Sequence, residues 1–324
     1  VVTGGDGFIG RHLVRKLLTS NSFEVVVISN TPNINESIMN DEHMVKGKLQ
    51  ENNPTMYYSA DIRDRSTIGK IFSRVKPEAC VHLAAKISVA DSIKNPEETM
   101  SVNVNGTLNV LQACHENHVK NFAFASSAAV YGDVRELPIK ETATLNPLSA
   151  YGTSKMKAEQ HVESYVRQKK IQNAILFRIF NVYGYGKADE SDVVTKFAKR
   201  LSNGLPPIIY GKGNFTRDFI SVDDVTDAID LSIRKMERTE NNSNHVGLGT
   251  SPIFNVGTGI PTSINELAQK MIDIFGLKLS PEYVQGDDSQ GTILHSYAST
   301  SMARRELNFL TKTNLETGLR NMIE

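Results

Sequence analysis

The chain opens with VVTGGDGFIG, residues 1–10, in which glycines stand at positions 4, 7 and 10. Apolar residues end a strand directly before the first glycine, and apolar residues at helical spacing follow over residues 8–18. In such a strand–turn–helix, Gly4 permits a tight turn, Gly7 lets the backbone approach a pyrophosphate, and Gly10 lets the helix pack closely on the strand. The pyrophosphate then lies at the positive end of the helix. The stretch predicts dinucleotide binding.

The rest of the first half alternates between strand and helix patterns. Short apolar runs predict strands over residues 25–28, 78–85, 121–126 and 174–180. Capping signals and helical spacing predict helices over 95–111 and 149–169. This alternation implies parallel pairing with right-handed crossovers, so we expect an α/β fold with a doubly wound parallel Rossmann sheet.

The pattern loosens after about residue 180, which predicts two domains. We expect an NAD-binding Rossmann domain over 1–180, to which 221–238 and 254–258 return, and a smaller α+β lobe, mainly substrate-binding, over 181–324. A capping box at Ser263 and Glu266 predicts a helix in this lobe. The polar stretches 32–54 and 239–251 are predicted to be surface loops.

Composition excludes several classes of protein. The 324 residues carry 36 basic and 36 acidic side chains, so the net charge is zero and broad attraction to nucleic acid or to a membrane surface is not expected. No apolar run approaches the roughly 20 residues that span a bilayer. Cys80 and Cys114 lack metal-ligand spacing, and we expect no metal site and a cytoplasmic location. Because Val1 is not a methionine, we expect the first strand to begin a few residues earlier.

The end of the second strand lacks an expected acid. A carboxylate about 20 residues after the glycine motif normally binds the adenosine ribose of NAD. Here Ser29 and Asn30 follow the strand, and the nearest downstream acid is Glu36. No arginine stands there to mark a 2′-phosphate. Since Ser29 and Asn30 can hydrogen-bond a ribose hydroxyl, we favour NAD, with NADP left open.

A phenol and an ammonium lie one helical turn apart in YGTSK, residues 151–155. The ordinary pKa of a phenol is about 10, which is too high for a base at neutral pH. We expect Lys155, together with an oxidised nicotinamide, to lower the pKa of Tyr151. Such pairs are also common on ordinary helices. Ser126 and Ser127 end a predicted strand, where they either face a ligand or cap the next turn.

Seven motifs occur in an order that resembles a known family. They are TGGDGFIG (3–10), HLAA (82–85), SSAAVYG (126–132), YGTSK (151–155), RIFNVYG (178–184), RDFISVDDV (217–225) and FNVGTG (254–259). The chain resembles the extended short-chain dehydrogenase/reductase family, in particular its branch of nucleotide-sugar epimerases and dehydratases. The resemblance covers nearly the whole chain and implies NAD and a UDP-sugar substrate.

The resemblance also implies roles for individual residues. It makes Ser127, Tyr151 and Lys155 catalytic. It places against the cofactor Gly4, Gly7, Phe8, Ile9, Gly10, Ser29, Asn30, Asp61, Ile62, Leu83, Ala84, Ala85, Lys86, Asn103, Ser126, Tyr151, Lys155 and Phe180. It places against the substrate Lys86, Ser127, Asn181, Arg217 and Ser296. Plainer interpretations also fit: turn or cap duty for Asn103 and Asn181, a surface ion pair for Arg217, and a helix N-cap for Asp61.

The resemblance further suggests a reaction. Family 4,6-dehydratases carry an Asp-Glu pair after the strand-end hydroxyl, whereas this chain has Ala128 and Ala129. The SSAAVYG form is similar to that of UDP-sugar 4-epimerases, in which the tyrosine takes the 4-hydroxyl proton while hydride leaves C4. The implied substrate is UDP-glucose or UDP-galactose. A serine at position 296 leaves room for an N-acetyl group, and Ser289 stands where a diphosphate-binding arginine is expected.

Two alternatives stay open. One is another nucleotide-sugar oxidoreductase, decarboxylase or dehydratase of the same family. The other is a dinucleotide-binding protein without catalytic activity. The resemblance also implies a homodimer, formed through the helices near residues 96–118 and 149–169.

Overall fold

The structure is a computed structural model that describes residues 1–20, 22–30, 56–186, 192–240, 251–285 and 293–323. It divides into two compact units. The first unit comprises Val1–Ser127, Ser149–Phe177 and Thr226–Ile253. The second unit comprises Ala128–Leu148, Arg178–Val225 and Phe254–Glu324.

The strands are β1 (Val2–Thr3), β2 (Val26–Ser29), β3 (Met56–Ser59), β4 (Ala79–His82), β5 (Asn121–Ser127), β6 (Asn173–Ile179), β7 (Asn181–Tyr183), β8 (Ile208–Tyr210), β9 (Thr216–Ser221), β10 (Ile253–Val256), β11 (Pro261–Ser263), β12 (Glu282–Val284) and β13 (His295–Ser296). The helices are α1 (Phe8–Thr19), α2 (Arg65–Val75), α3 (Val89–Lys94), α4 (Pro96–Met100), α5 (Thr107–Glu116), α6 (Ala150–Arg167), α7 (Val193–Ser202), α8 (Val222–Glu240), α9 (Ile264–Ile274), α10 (Ser301–Leu307) and α11 (Leu315–Ile323).

The central sheet has seven strands in the order β10-β6-β5-β4-β1-β2-β3. β1 pairs in parallel with both β2 and β4, and β4 pairs in parallel with β5. The order reverses at β1, because β2 and β3 lie on one side of it and β4 and β5 on the other. Ligands bind doubly wound sheets at such a switch point, beyond the carboxyl ends of the strands. The predicted fold class is confirmed.

Side-chain caps fix the helix starts that the sequence predicts. The Ser149 side chain accepts a hydrogen bond from the Gly152 N–H at 3.0 Å and begins α6. Ser263 and Glu266 form the expected capping box of α9. Asn95 caps α4 by accepting from the Glu98 N–H at 3.1 Å. These caps supply acceptors for N–H groups that have no partner inside the helix.

The helix predicted over 95–111 differs from the observed structure. Between α4 and α5 the chain forms a π-helical segment, Ser101–Gly106. Gly106 packs so closely that a Cβ there would lie 2.7 Å from the Ile62 Cγ1 atom. The side chain of Asn103, within the same segment, is buried and bonded to a neighbouring loop. Insertions of this kind commonly occur at functional sites.

The second unit is built around β9. It pairs antiparallel with β11 and parallel with β7 and β13. A cluster of buried apolar side chains, among them Phe197, Phe219 and Leu267, forms its core. That the first domain binds the cofactor and the second lobe binds the substrate stays a prediction.

Several expectations concern residues outside the described ranges. The predicted loop 32–54, Glu36 and Ser289 lie wholly outside them. The predicted loop 239–251 also falls largely outside, but α8 extends to Glu240, so its first two residues are helical. Of the helices in the described ranges, none combines the length and hydrophobicity that crossing a lipid bilayer requires.

Candidate active site

The glycine motif forms the turn between β1 and α1. Gly4 has a φ of +70°, and a Cβ there would lie 2.7 Å from the Ala84 nitrogen. At Gly10 a Cβ would overlap the Gly4 carbonyl and lie 2.7 Å from the Gly5 Cα. Both positions therefore require glycine, for the turn and for close packing of the helix.

The first turn of α1 is suited to an anion. Its N-cap, Gly7, offers no side-chain acceptor, and no acidic residue stands in the first turn. A Cβ on Gly7 would have one neighbour within 4 Å, the Gly4 carbonyl oxygen, which would lie 3.1 Å away. The start of α1 thus presents backbone N–H groups and a positive helix end with no acid in its first turn. This arrangement fits a pyrophosphate.

At the end of β2, Ser29 and Asn30 stand where the ribose-binding acid was expected. Asn30 is exposed, whereas Ser29 is buried. The Ser29 hydroxyl donates a hydrogen bond to the carboxylate of Asp6, which belongs to the glycine motif. The hydroxyl proton of Ser29 is thus committed to Asp6, a contact that the sequence reasoning missed.

The three residues expected to be catalytic lie together in the first unit. Ser127 is the last residue of β5, and Tyr151 and Lys155 stand one turn apart on α6. The hydroxyl groups of Tyr151 and Ser127 are hydrogen-bonded. The buried Lys155 ammonium donates to the Ala125 carbonyl at 2.8 Å and lies 5.0 Å from the centre of the Phe124 ring.

Burial shifts the pKa values of Tyr151 and Lys155 in opposite directions. Burial raises the pKa of the Tyr151 phenol above its ordinary value, and the hydrogen bond with Ser127 opposes the increase. The Lys155 ammonium donates to the Ala125 carbonyl rather than to the Tyr151 hydroxyl. Burial lowers the pKa of Lys155 itself to about 8, with the carboxylate of Glu159 opposing the decrease. Lowering of the Tyr151 pKa by Lys155 together with an oxidised nicotinamide stays a prediction.

Asn103 joins the loop after β4 to α6. Its amide oxygen accepts from the Lys86 N–H at 2.8 Å, and its amide nitrogen donates to the Lys86 carbonyl and to the Ser154 hydroxyl, both at 2.9 Å. The Lys86 ammonium pairs with Glu98 at 2.6 Å. Asn103 thus has a positioning role in the first unit, and direct contact with the cofactor stays a prediction.

Two buried polar groups support the carboxyl ends of β4 and β5. Ser126 donates to the carboxylate of Glu159, which is itself buried. His82 is held between the hydroxyl groups of Thr3 and Thr107, at 2.6 and 2.9 Å. Burial, followed by the charge of Lys155, lowers the pKa of His82 to about 3. His82 is therefore neutral and part of the scaffold.

Asp61 does not cap a helix. Its carboxylate accepts hydrogen bonds from the Arg63 side chain, and Asp64 instead caps α2 by accepting from the Thr67 N–H at 3.0 Å. Ile62 is buried, and the segment of Leu83, Ala84 and Ala85 follows β4 beside the Gly4 turn. The roles of these residues toward the cofactor stay predictions.

Arg217 and Ser296 are directly paired in the sheet of the second unit. The Arg217 guanidinium donates to the Thr216 carbonyl at 2.9 Å and forms no ion pair with any described residue. Burial lowers the pKa of Arg217, with the charge of Asp133 opposing the decrease. Ser296 is buried beside it.

The other two second-unit candidates differ in exposure. Asn181 is exposed, and its amide donates to the Asp218 carbonyl at 3.4 Å. Phe180 is buried, and its N–H donates to the Val256 carbonyl at 3.0 Å. Their contacts with substrate and cofactor stay predictions.

The chain matches the model of the NAD dependent epimerase/dehydratase family over residues 1–257. It belongs to this family. A putative UDP-glucose 4-epimerase of Methanocaldococcus jannaschii is 33% identical over 327 residues, covering 100% of this chain and 96% of the relative. The crystal structure of UDP-glucose 4-epimerase with UDP-glucose from Thermotoga maritima is 31% identical, with a TM-score of 0.84, and covers 99% of this chain and 96% of that one. UDP-glucose 4-epimerase of Thermus thermophilus, in complex with NAD, is 29% identical, with a TM-score of 0.81 and coverage of 99% and 96%.

NAD is the cofactor of this epimerase/dehydratase family member. The first unit offers an uncapped helix start that is suited to the pyrophosphate of NAD. The roles of Ser127, Tyr151 and Lys155 toward NAD stay predictions. Sequence motifs found these residues because they are local. They missed Asp6 and Glu159, because the partners of these acids lie 23 and 33 positions away along the chain.

Proposed function

We propose that the protein is a UDP-hexose 4-epimerase that interconverts UDP-glucose and UDP-galactose. It acts by transient oxidation of the sugar at C4. The observation that carries this proposal is the hydrogen-bonded Ser127–Tyr151 pair at the end of β5, with Lys155 one turn along α6. A hydroxyl pair of this kind is suited to move a proton to and from a sugar hydroxyl. The similarity to named UDP-glucose 4-epimerases supports the sugar class.

Each residue of this set has a separate task. Tyr151 takes the proton from the 4-hydroxyl and returns it, and Ser127 orients the same oxygen. NAD, when bound, supplies the acceptor and donor of the hydride at C4. Lys155 places a positive charge near the phenol and helps to hold the cofactor. Because burial raises the pKa of Tyr151, the phenol depends on added positive charge to reach its working range.

Dehydration is disfavoured by the residues that follow Ser127. Elimination of water from the sugar needs side chains that can transfer a proton at carbon. Ala128 and Ala129 occupy the two positions directly after β5 and carry no ionisable group. An epimerase needs none there, because proton transfer is confined to one oxygen.

We assign binding of the substrate's diphosphate to Arg217. Arg217 is a partly buried cation with no carboxylate in an ion pair with it among the described residues, and the planar fork of a guanidinium suits bidentate binding of phosphate. Its neighbour Ser296 is small, which supports tolerance of N-acetylated sugars. The Ser296→Tyr variant should lose activity on UDP-N-acetylglucosamine while keeping activity on UDP-glucose. Equal losses on both would refute this part of the proposal.

The direct test is an assay of UDP-galactose and UDP-glucose interconversion by the purified protein, with identification of the dinucleotide released on denaturation. The Tyr151→Phe variant should lose at least about a thousandfold in kcat, within the range of general acid–base contributions. Tyr165→Phe is the matched control, since Tyr165 lies on the same helix and donates to Gln112 at 2.9 Å. It should retain the parent rate.

Two results would overturn the proposal. A Tyr151→Phe variant as active as Tyr165→Phe would remove Tyr151 from the reaction. Stoichiometric formation of NADH with an oxidised product would instead indicate a nucleotide-sugar oxidoreductase of the same family.

We also propose a homodimer and a cytoplasmic location. Light scattering of the purified protein and fractionation of the source cells test these two points. Faces of α5 and α6 already contribute Val110, Leu111 and Val162 to the core of the first unit. A dimer through these helices would therefore use the residues on their other faces.

A further inference from the structure

The carboxylate of Asp6 lies beside the end of β2, where the expected acid is missing. NAD-binding sheets of this type normally carry an acid at the end of the second strand, where it binds the adenosine ribose. This chain has Ser29 at that position, and the Ser29 hydroxyl donates to Asp6 Oδ1. In this chain the carboxylate is supplied by Asp6 of the glycine loop, and Ser29 of β2 supplies a hydroxyl that binds it.

The backbone holds both residues in place. The Gly4 N–H donates to the Ile28 carbonyl at 2.7 Å, which ties the glycine loop to the end of β2. The Ala60 N–H donates to the Ser29 carbonyl at 2.7 Å, which ties the end of β2 to the chain after β3. Because Ser29 is buried, its hydroxyl holds one oxygen of Asp6 in a fixed orientation.

The rest of the Asp6 carboxylate is available for a ligand. Asp6 is only half-buried, and Oδ2 accepts no hydrogen bond from any residue that the structure describes. Asp6 also forms no ion pair within the described ranges, so its negative charge is not neutralised by the protein. An ionised carboxylate of this kind accepts hydrogen bonds from vicinal hydroxyls and repels a phosphate.

We propose that Asp6, held by Ser29, is the carboxylate that binds the adenosine ribose hydroxyls of NAD and that it excludes NADP, whose 2′-phosphate would meet the same charge. The proposal depends on NAD as the cofactor and not on the sugar chemistry. Its test therefore measures dinucleotide binding, which separates its failure from failure of the proposed epimerase activity.

The experiment compares selectivity between two dinucleotides. Parent and Asp6→Asn proteins are equilibrated with equimolar NAD⁺ and NADP⁺, and the bound dinucleotides are released by denaturation and quantified. Calorimetric titration with each dinucleotide gives the separate affinities. Loss of hydrogen bonds to a charged group should weaken NAD⁺ binding by about tenfold to a hundredfold. The ratio of bound NAD⁺ to NADP⁺ should fall at least about tenfold, because the variant no longer repels the 2′-phosphate.

A reciprocal exchange separates ribose binding from an effect on folding. The double variant Asp6→Ser, Ser29→Asp restores one acid and one hydroxyl with their positions exchanged. It should regain the parent preference for NAD⁺, whereas Asp6→Ser alone should not. The control is Glu116→Gln, which removes one negative charge near the end of α5, before the start of β5. It should leave both affinities unchanged.

Two results would overturn the proposal. The first is an Asp6→Asn protein whose NAD⁺ affinity and selectivity stay within twofold of the parent. The second is equal weakening of NAD⁺ and NADP⁺, because this would indicate a disturbed glycine loop. If the Asp6→Asn protein does not fold, the double variant Asp6→Ser, Ser29→Asp decides the question. A double variant that folds but does not prefer NAD⁺ would overturn the proposal.

Discussion

Lys155 is an ammonium that the fold buries at a cost in stability. Its ordinary pKa is 10.5, and burial lowers this pKa to about 8. Between these two pH values the unfolded chain binds the additional proton, so the free energy of unfolding increases with pH. Each unit of pKa corresponds to about 1.4 kcal/mol, and the whole effect to about 3 kcal/mol. Below pH 8 Lys155 is protonated in both the folded and the unfolded chain. The free energy of unfolding is then lowered by the whole of this amount.

Replacing Lys155 with Met removes this dependence on pH. The variant also loses the hydrogen bond to the Ala125 carbonyl, which costs about 1–3 kcal/mol at every pH. The difference in unfolding free energy, variant minus parent, should therefore fall by about 2 kcal/mol between pH 7.5 and 9.5. Urea unfolding followed by circular dichroism measures it at each pH.

The matched control is Lys157→Met, which changes an exposed lysine two positions along the same helix. Its effect on the unfolding free energy should be small, because the side chain is exposed. The reasoning is refuted if the Lys155→Met difference is constant with pH or increases. Either result would mean that the buried ammonium is compensated by its surroundings.

Three further changes test local packing and the buried polar network. Gly10→Ala should destabilise the protein by about 2 kcal/mol or more and abolish retention of NAD, because the methyl group overlaps the Gly4 carbonyl. Gly69→Ala is its control in the thermal melt: space around Gly69 is open, so this helical alanine should stabilise by roughly 0.5–1 kcal/mol. Ser126→Ala should cost about 1–3 kcal/mol in urea unfolding, because the buried Glu159 loses a donor. An unchanged midpoint would mean that water or another donor replaces the hydroxyl.

Local signals in the sequence predicted most of the fold. Ser149 and the Ser263–Glu266 box placed two helix starts correctly, because a cap depends only on residues within one turn. The apolar runs located β2, β5 and β6 to within one residue at each end, whereas the run over 78–85 extended three residues past β4, and β3 was not predicted. The π-helical segment at Ser101–Gly106 was not predictable, since it depends on how Gly106 packs against Ile62.

The candidate site was predictable in its composition but not in its electrostatics. Spacing alone put Tyr151 and Lys155 on one helix face and Ser127 at a strand end. It did not show that the Lys155 ammonium turns to the Ala125 carbonyl, or that burial raises the pKa of Tyr151. The pairing of Asp6 with Ser29 was also hidden, because it joins two segments that meet only in the folded sheet.

The fate of the hydrogen at C4 tests the proposed reaction most directly. UDP-galactose deuterated at C4 is converted by the purified protein, and the UDP-glucose formed is analysed by mass spectrometry and NMR. Oxidation and reduction at one carbon within one active site predict that deuterium stays at C4 and that no NADH accumulates. Deuterium lost to solvent, or found at another position of the sugar, would contradict the assignment of Tyr151 and Ser127 to a reaction at the 4-hydroxyl.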